Sequence, residues 1–368
     1  TVPKTQKTPR IIAMEPTHMQ YMQQGLLHAF VKGIEGDKLV RTLIGFKSQK
    51  PNQRLAREGS RKGNLATLDL SEASDRVSNQ HVRALFEFNP LLAEAIDATR
   101  SRKADVQGHG VLRLAKYASM GSALCFPFEA MVFCTVVLMG IEDALNRPLT
   151  RKDLYGLMGK VRVYGDDIIV PVKYTDSVVS SLETFGFKVN TGKSYWNGKF
   201  RESCGKDYYD GVDITVFRVR SLLPAQHWSK EKSENVISLY SLRNQAYKAG
   251  FWRVVRHLDQ YIEDLNWPSP VLNDGSAGLG RHSFLDVTPY GSKIKWEPNL
   301  QKPVVLALTD HAKSPRNSVD GYAALLKWFL KRDDLPFVDK NHLIYSGRPR
   351  SVDIKLRWVD PLSPKVRA

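Results

Sequence analysis

The chain has 368 residues, 42% hydrophobic and 25% charged, enough for one large core or two to three smaller ones. Its 54 lysines and arginines against 38 aspartates and glutamates leave a net charge of +16, a field that favours polyanionic partners, nucleic acid first. Cys125, Cys134 and Cys204 cannot all pair and lack metal-ligand spacing, which excludes a disulfide scaffold and fits a reducing, cytosolic setting.

The opening "TVPKTQKTPRIIAMEP" (1–16) reads as a basic loop leading into a short strand. Residues 17–31 space their apolar groups for a helix with one buried face. "NQRLAREGSRKGN" (52–64) is a basic helix ended by glycine, and the strand "LATLDL" (65–70) follows. "SEASDR" begins as a turn, with Ser71 or Ser74 as the cap for a helix carrying "VSNQHVRALFEF". "YASMGSALCFPFEA" (117–130) is a small-residue loop before a helix. "CFPFEAMVFCTVVLMGI" (125–141) is the one candidate membrane span. Pro127, Glu129 and the short apolar run read instead as the first turn and body of a buried helix in a soluble protein.

Residues 161–172 predict a hairpin: "VRVY", the turn "GDD", then "IIVPV". A helix follows at 177–187, closed by Gly186, and "FRESCGKDYYDGVDITVFRV" (200–219) predicts a further strand pair. From about residue 225 the pattern turns helical, with an irregular Gly/Pro-rich stretch at 267–302. The tail "SVDIKLRWVDPLSPKVRA" has no interpretable motif. The whole reads as α+β with a mostly helical C-terminal part.

Three carboxylates stand out. Asp69 ends an apolar strand, where an unpaired charge is costly. Asp166 and Asp167 sit at the hairpin tip, where they repel each other. If the two strands are neighbours, all three meet at one sheet edge, and hard divalent cations such as Mg²⁺ would relieve the repulsion and support phosphoryl transfer. The bland alternative is a surface turn beside a local cap. Lys4, Lys7 and Arg10, three residues apart in an extended segment, would suit a triphosphate, or form a solvated basic loop. Lys193 could protonate a leaving pyrophosphate or lie idle after a turn. Ser119 and Gly121 would let a sugar or phosphate approach the backbone, or simply make a tight turn.

In chain order, "VPKTQKTPR", "LATLDLSEASD", "SMGSALCF", "VYGDDIIV", "FGFKVNTGKS" and "FRESCG" resemble motifs F, A, B, C, D and E of RNA-dependent RNA polymerases. "NQRLAREGSRKGNLATLDLSEASD" and "GKFRESCG" are similar to the replicase catalytic (beta) subunits of positive-strand RNA bacteriophages, the leviviruses. The resemblance covers residues 1–219 and weakens beyond, where "TPYG" (288–291) stands in the region of the thumb. It implies a right-hand polymerase fold: partial fingers over 1–64, a palm over 65–219 with a finger-palm loop and helix at 108–130, and a thumb over 220–368. The chain begins within motif F, so upstream fingers are expected to be absent and the fragment itself to be inactive.

By the same resemblance, Asp69, Asp166 and Asp167 bind two Mg²⁺ ions, with Mn²⁺ as a substitute, and Lys193 is the general acid. Lys4, Lys7 and Arg10 meet the triphosphate. Ser74 or Asp75, with Ser119 and Gly121, surround the ribose. Arg201, Glu202, Ser203, Cys204 and Gly205 grip the primer strand. The implied partners are RNA template and product, nucleoside triphosphates, host translation elongation factors Tu and Ts and a ribosomal protein, in the bacterial cytoplasm and away from membranes. The chain departs from many RNA polymerases at Cys125 and Glu129, where they carry Thr and Asn. Rival readings are a narnavirus-like or mitovirus-like polymerase, a reverse transcriptase, and an RNA-binding module with a dead site.

Overall fold

In the computed structural model, which describes residues 2–3, 9–106, 108–219, 221–285, 293–312, 321–333 and 352–362, the apolar run "LATLDL" forms two strands rather than one. The chain divides into units 1–216 and 217–368. In the first, helix α1 (Thr17–Gly36) is followed by α2 (Lys50–Lys62), which ends at Gly63. Strands β1 (Leu65–Leu68) and β2 (Leu70–Ser71) are separated by Asp69. A single turn at 73–76 precedes α3 (Asn79–Leu85). Its cap is Ser78, not Ser71 or Ser74: the Ser78 hydroxyl accepts from the His81 N–H at 3.2 Å, while the His81 ring accepts from the Ser78 N–H.

Helix α4 (Cys125–Leu145) is long and apolar enough to cross a membrane, yet most of its apolar stretch is buried inside the fold. Phe128, Phe133, Val137 and Ile141 are wholly buried, and Pro127 sits in the first turn, where its missing N–H costs nothing. Then come β3 (Arg162–Tyr164), β4 (Asp167–Pro171), α5 (Thr175–Thr184), which packs along α4, and β5 (Lys188–Val189). A three-stranded antiparallel meander closes the unit: β6 (Phe200–Ser203), β7 (Lys206–Tyr209) and β8 (Val212–Asp213). The central sheet has the order β1-β4-β3, antiparallel throughout. Its β4 residues Ile168, Ile169 and Val170 are at most 1% exposed, so the hairpin is a core element with only its tip at an edge.

The second unit corrects the expectation of a mostly helical C-terminal part. Helices α6 (Ser233–Lys248) and α7 (Trp252–Asp264) are followed by β9 (Gly278–Leu279), β10 (Ile294–Glu297), β11 (Lys302–Ala312), α8 (Gly321–Asp333) and β12 (Val352–Val359). The strands form one antiparallel sheet centred on β11. The stretch at 267–302 thus holds two short strands, and the tail supplies a third. "TPYG" lies outside the described residues. Val236, Leu239, Tyr240, Ile262 and Leu308 make this unit's own core.

Candidate active site

Asp69 falls where one extended segment changes partners. β1 pairs with β4, whereas β2 pairs with β5. The β1–β4 register ends on Leu68↔Ile168, so the next step along it faces Asp69 towards Asp167. The turn after β5 holds Asp69 in place. Asn190 donates through its backbone N–H to the Asp69 carbonyl at 2.9 Å and through Nδ2 to Oδ2 at 3.0 Å. The Asp69 N–H donates to Ser194 Oγ at 3.0 Å.

Tyr164↔Asp167 is the last pair of the hairpin, which leaves Gly165 and Asp166 as its two-residue loop. Gly165 has φ +59°, and a Cβ there would lie 2.5 Å from the Phe126 ring, so a side chain is excluded twice over. Asp166 is exposed and Asp167 half-buried. Asp167 Oδ1 accepts from the Cys204 N–H at 3.0 Å and from Ser203 Oγ at 3.1 Å. Burial raises the Asp167 pKa, the Cys204 N–H opposes that, and the neighbouring Asp166 raises it again.

Other acids crowd the same edge. Burial, then Asp167, Asp207 and Asp69, push Glu202 up to about 7. Glu129, on α4 beneath the Gly165 turn, is pushed up to about 8 by burial, then by Asp166 and Asp75. Carboxylate oxygens are the donors hard cations take, so the residue types fit Mg²⁺. The side chains as they stand do not close around one: among the described residues, no three His, Cys, Asp or Glu side chains are grouped to hold a metal ion.

The remaining expected residues fare differently. Lys193 is exposed on the turn between Asn190 and Ser194, next to the residues that hold Asp69. Asp75 pairs with Lys116 at 2.5 Å. Ser74 is 4% exposed, and its hydroxyl has no hydrogen-bond partner among the described residues. Ser119 is buried. Gly121 has φ +116°, and its open side is taken by the chain itself, since a Cβ there would meet the Ala13 carbonyl oxygen at 2.1 Å. The space expected for a sugar or phosphate at Gly121 is therefore filled by backbone.

Arg201 is a correction. Expected on a primer-gripping surface, it is wholly buried and donates to five backbone carbonyls, those of Leu65, Trp196, Asn197, Gly198 and Phe200. Glu202, Cys204 and Gly205 remain partly or fully accessible, whereas Ser203 is 1% exposed. Lys4, Lys7 and the Arg10 side chain lie outside the described residues.

Four residues escaped the sequence reading as site residues. Asn190 and Ser194 flank Lys193 within "NTGKS". Asn52, on the basic helix, donates to the Asp167 carbonyl at 3.4 Å and accepts from Arg162 Nε at 3.1 Å. Glu129 drew notice only as a departure from a pattern. A polar residue one or three positions from a candidate catalytic residue, Lys193, in a stretch with turn chemistry, is the available signal for the first two.

A family model described as RNA replicase, beta-chain, matches residues 1–227. The chain is 36% identical over 220 residues to the RNA-directed RNA polymerase beta chain of Enterobacteria phage fr, covering 60% of this chain and 37% of that protein. It is 32% identical over 369 residues to the RNA-directed RNA polymerase subunit beta of Enterobacteria phage SP, covering 98% of this chain and 60% of that one. With the corresponding subunit of Escherichia virus Qbeta it shares 36% over 252 residues, 68% of this chain and 39% of that one. The chain thus spans 37% to 60% of the lengths of these relatives. A solved telomerase from Candida albicans, in complex with a fragment of telomeric RNA, aligns at TM-score 0.42 and 13% identity over 67% of this chain and 47% of that chain. That likeness carries no weight for fold or function.

Proposed function

Because the chain belongs to the RNA replicase beta-chain family, we propose that it carries the catalytic carboxylates of an RNA-directed RNA polymerase of a positive-strand RNA bacteriophage. The reaction joins a ribonucleoside triphosphate to an RNA 3′-OH under template direction. The new O–P bond forms as the bond to pyrophosphate breaks. One observation carries the reading: the β1–β4 register runs Asp69 to the same edge as Asp166 and Asp167.

Asp69, Asp166 and Asp167 would hold two Mg²⁺ ions, or Mn²⁺ in their place. Bound there, the cations supply charge neutralisation at the attacking and leaving oxygens. Asn190 and Ser194 keep Asp69 in register with that edge. Lys193, exposed on the same turn, is the proton donor for the leaving pyrophosphate. Lys4, Lys7 and Arg10 meet the triphosphate. Ser74, Asp75 and Ser119 lie along the ribose side, where the unpartnered Ser74 hydroxyl is the one most in need of a hydrogen bond. Glu202, Cys204 and Gly205 back the primer strand, with Arg201 as the internal anchor of their hairpin.

The architecture that goes with this function is a right hand: partial fingers over 1–64, palm over 65–219 and thumb over 220–368. Its partners are template and product RNA and nucleoside triphosphates. Host elongation factors Tu and Ts and a ribosomal protein complete the implied set, in the host cytoplasm.

Primer extension on an RNA template with Mg²⁺, in full-length protein, tests the reading. Asp166→Asn is expected to lower extension about 100-fold or more. Wild-type extension by that variant overturns the metal assignment. Equal use of deoxynucleotides moves the activity to reverse transcription. A wild-type protein that binds RNA but extends nothing moves the reading to a binding module.

A further inference from the structure

We propose that the tip of the β6–β7 hairpin, Ser203 with Cys204, is a clamp that fixes Asp167 in its working rotamer, so that Ser203 is a positioning residue for the cation site. The proposal rests on the reading of this edge as the site of nucleotidyl transfer.

The hairpin closes through a two-residue loop, since Ser203↔Lys206 is its last pair. Both loop residues have positive φ, Cys204 at 50° and Gly205 at 70°, as the favoured two-residue hairpin turn requires. Beyond the last pair, the first loop residue has no cross-strand partner for its N–H. In this hairpin that N–H is aimed at Asp167 Oδ1, 3.0 Å away. The Ser203 hydroxyl, buried at the same end of the strand, donates to the same oxygen at 3.1 Å. A carboxylate only accepts, so the direction of both bonds is fixed.

Two donors converge on one oxygen. They hold the side-chain torsion of Asp167 against rotation, and the Cys204 side chain adds a further hydrogen bond to the same carboxylate. Neutral donors achieve this without cancelling the charge, as an arginine or lysine at Ser203 would.

The clamp has a stiff mount. Gln53 Nε2, on α2, donates to the Cys204 carbonyl at 3.1 Å. One turn further along, Arg57 Nε donates to the Gly211 carbonyl at 2.7 Å, and Ser60 Oγ accepts from the Gly211 N–H at 2.9 Å. The same helix reaches the other side of Asp167 through Asn52, which is wholly buried. One helix therefore braces both the turn that carries Asp167 and the hairpin that grips it. A shift of the hairpin, such as a product strand lying against it would cause, moves Asp167 directly.

The test uses full-length protein and two variants, Ser203→Ala and Ser203→Thr. Mn²⁺ binding is followed by electron paramagnetic resonance without RNA or nucleotide, and primer extension is followed against Mg²⁺ concentration. Removing a hydrogen bond that orients a metal ligand typically weakens metal binding about 10-fold or more. Ser203→Ala is expected to weaken Mn²⁺ binding and raise the Mg²⁺ requirement by about that factor, with RNA affinity and melting temperature held. Ser203→Thr, which keeps the hydroxyl, is expected to restore both. Unchanged Mn²⁺ binding and Mg²⁺ dependence in Ser203→Ala overturn the clamp. So does a loss of both that follows a fall in melting temperature and is not rescued by threonine, since that is a structural role. Asp166→Asn is run alongside: if it binds Mn²⁺ and extends like wild type, the failure lies in the reading of the site itself.

Discussion

Glu129 is the most sharply perturbed carboxyl group near the hairpin tip, and the sign of its effect on stability can be worked out. Free in an unfolded chain it ionises near 4.5, whereas in the fold burial first, then Asp166 and Asp75, raise its pKa to about 8. Between those values the folded protein holds a proton that the unfolded chain has released. Stability contributed by this residue is therefore full below pH 4.5, falls as pH rises towards 8, and is flat above. In metal-free protein, urea unfolding of Glu129→Gln should lose that downward slope and gain up to about 5 kcal/mol relative to wild type at pH 9. Parallel pH profiles for the two proteins would refute it. The acid was visible in the sequence but its setting was not. "FPFEAMVF" reads as a buried helix, and only the packing of the Gly165 turn over Phe126 shows which neighbour Glu129 meets.

Between elements, the decisive feature is a hairpin root locked to the central sheet. Arg201, the second residue of β6, ties the strand to Leu65 at the start of β1, while gathering the carbonyls of the turn at 196–198. A guanidinium with no exposed surface survives because five carbonyls satisfy it. Arg201→Met removes every donor and leaves those carbonyls buried, which should cost about 3 kcal/mol or more. Denaturant unfolding would show it as a lower midpoint at constant slope. A midpoint within experimental scatter of wild type would mean that the hairpin is anchored by its contacts with α2 alone. This level was half legible. The β3–β4 hairpin was expected because β-branched runs flank Gly-Asp-Asp, a local signal. The break at Asp69 was not, because a change of strand partner depends on β5, about 120 residues away, and leaves no mark in "LATLDL". The sheet of the second unit escaped for the same reason: β11 pairs with β12 some 45 residues downstream, and both runs look unremarkable in isolation.

Across the whole molecule two opposite electrostatic features coexist. The chain carries +16, yet Asp69, Asp166, Asp167, Glu202 and Asp207 influence one another at one edge. Salt screens exposed charges beyond about 8–10 Å, so the acidic edge acts only on what enters it, and the basic excess governs approach. A phosphate backbone would then be held by lysines and arginines spread over the surface, and affinity and chemistry would be separable. Filter binding of single-stranded RNA should weaken linearly in log salt, about a thousand-fold between roughly 50 and 200 mM. Asp166→Asn changes the net charge by a single unit and should keep both that slope and the affinity within about 2-fold, while extension is lost. Affinity that ignores salt would argue that RNA is held by stacking or by base contacts instead. A variant whose RNA affinity falls in step with its extension would mean that the carboxylate edge, through cations, also holds the strand. Because the two functions draw on different residues, the reading of the site can fail without taking the basic surface with it.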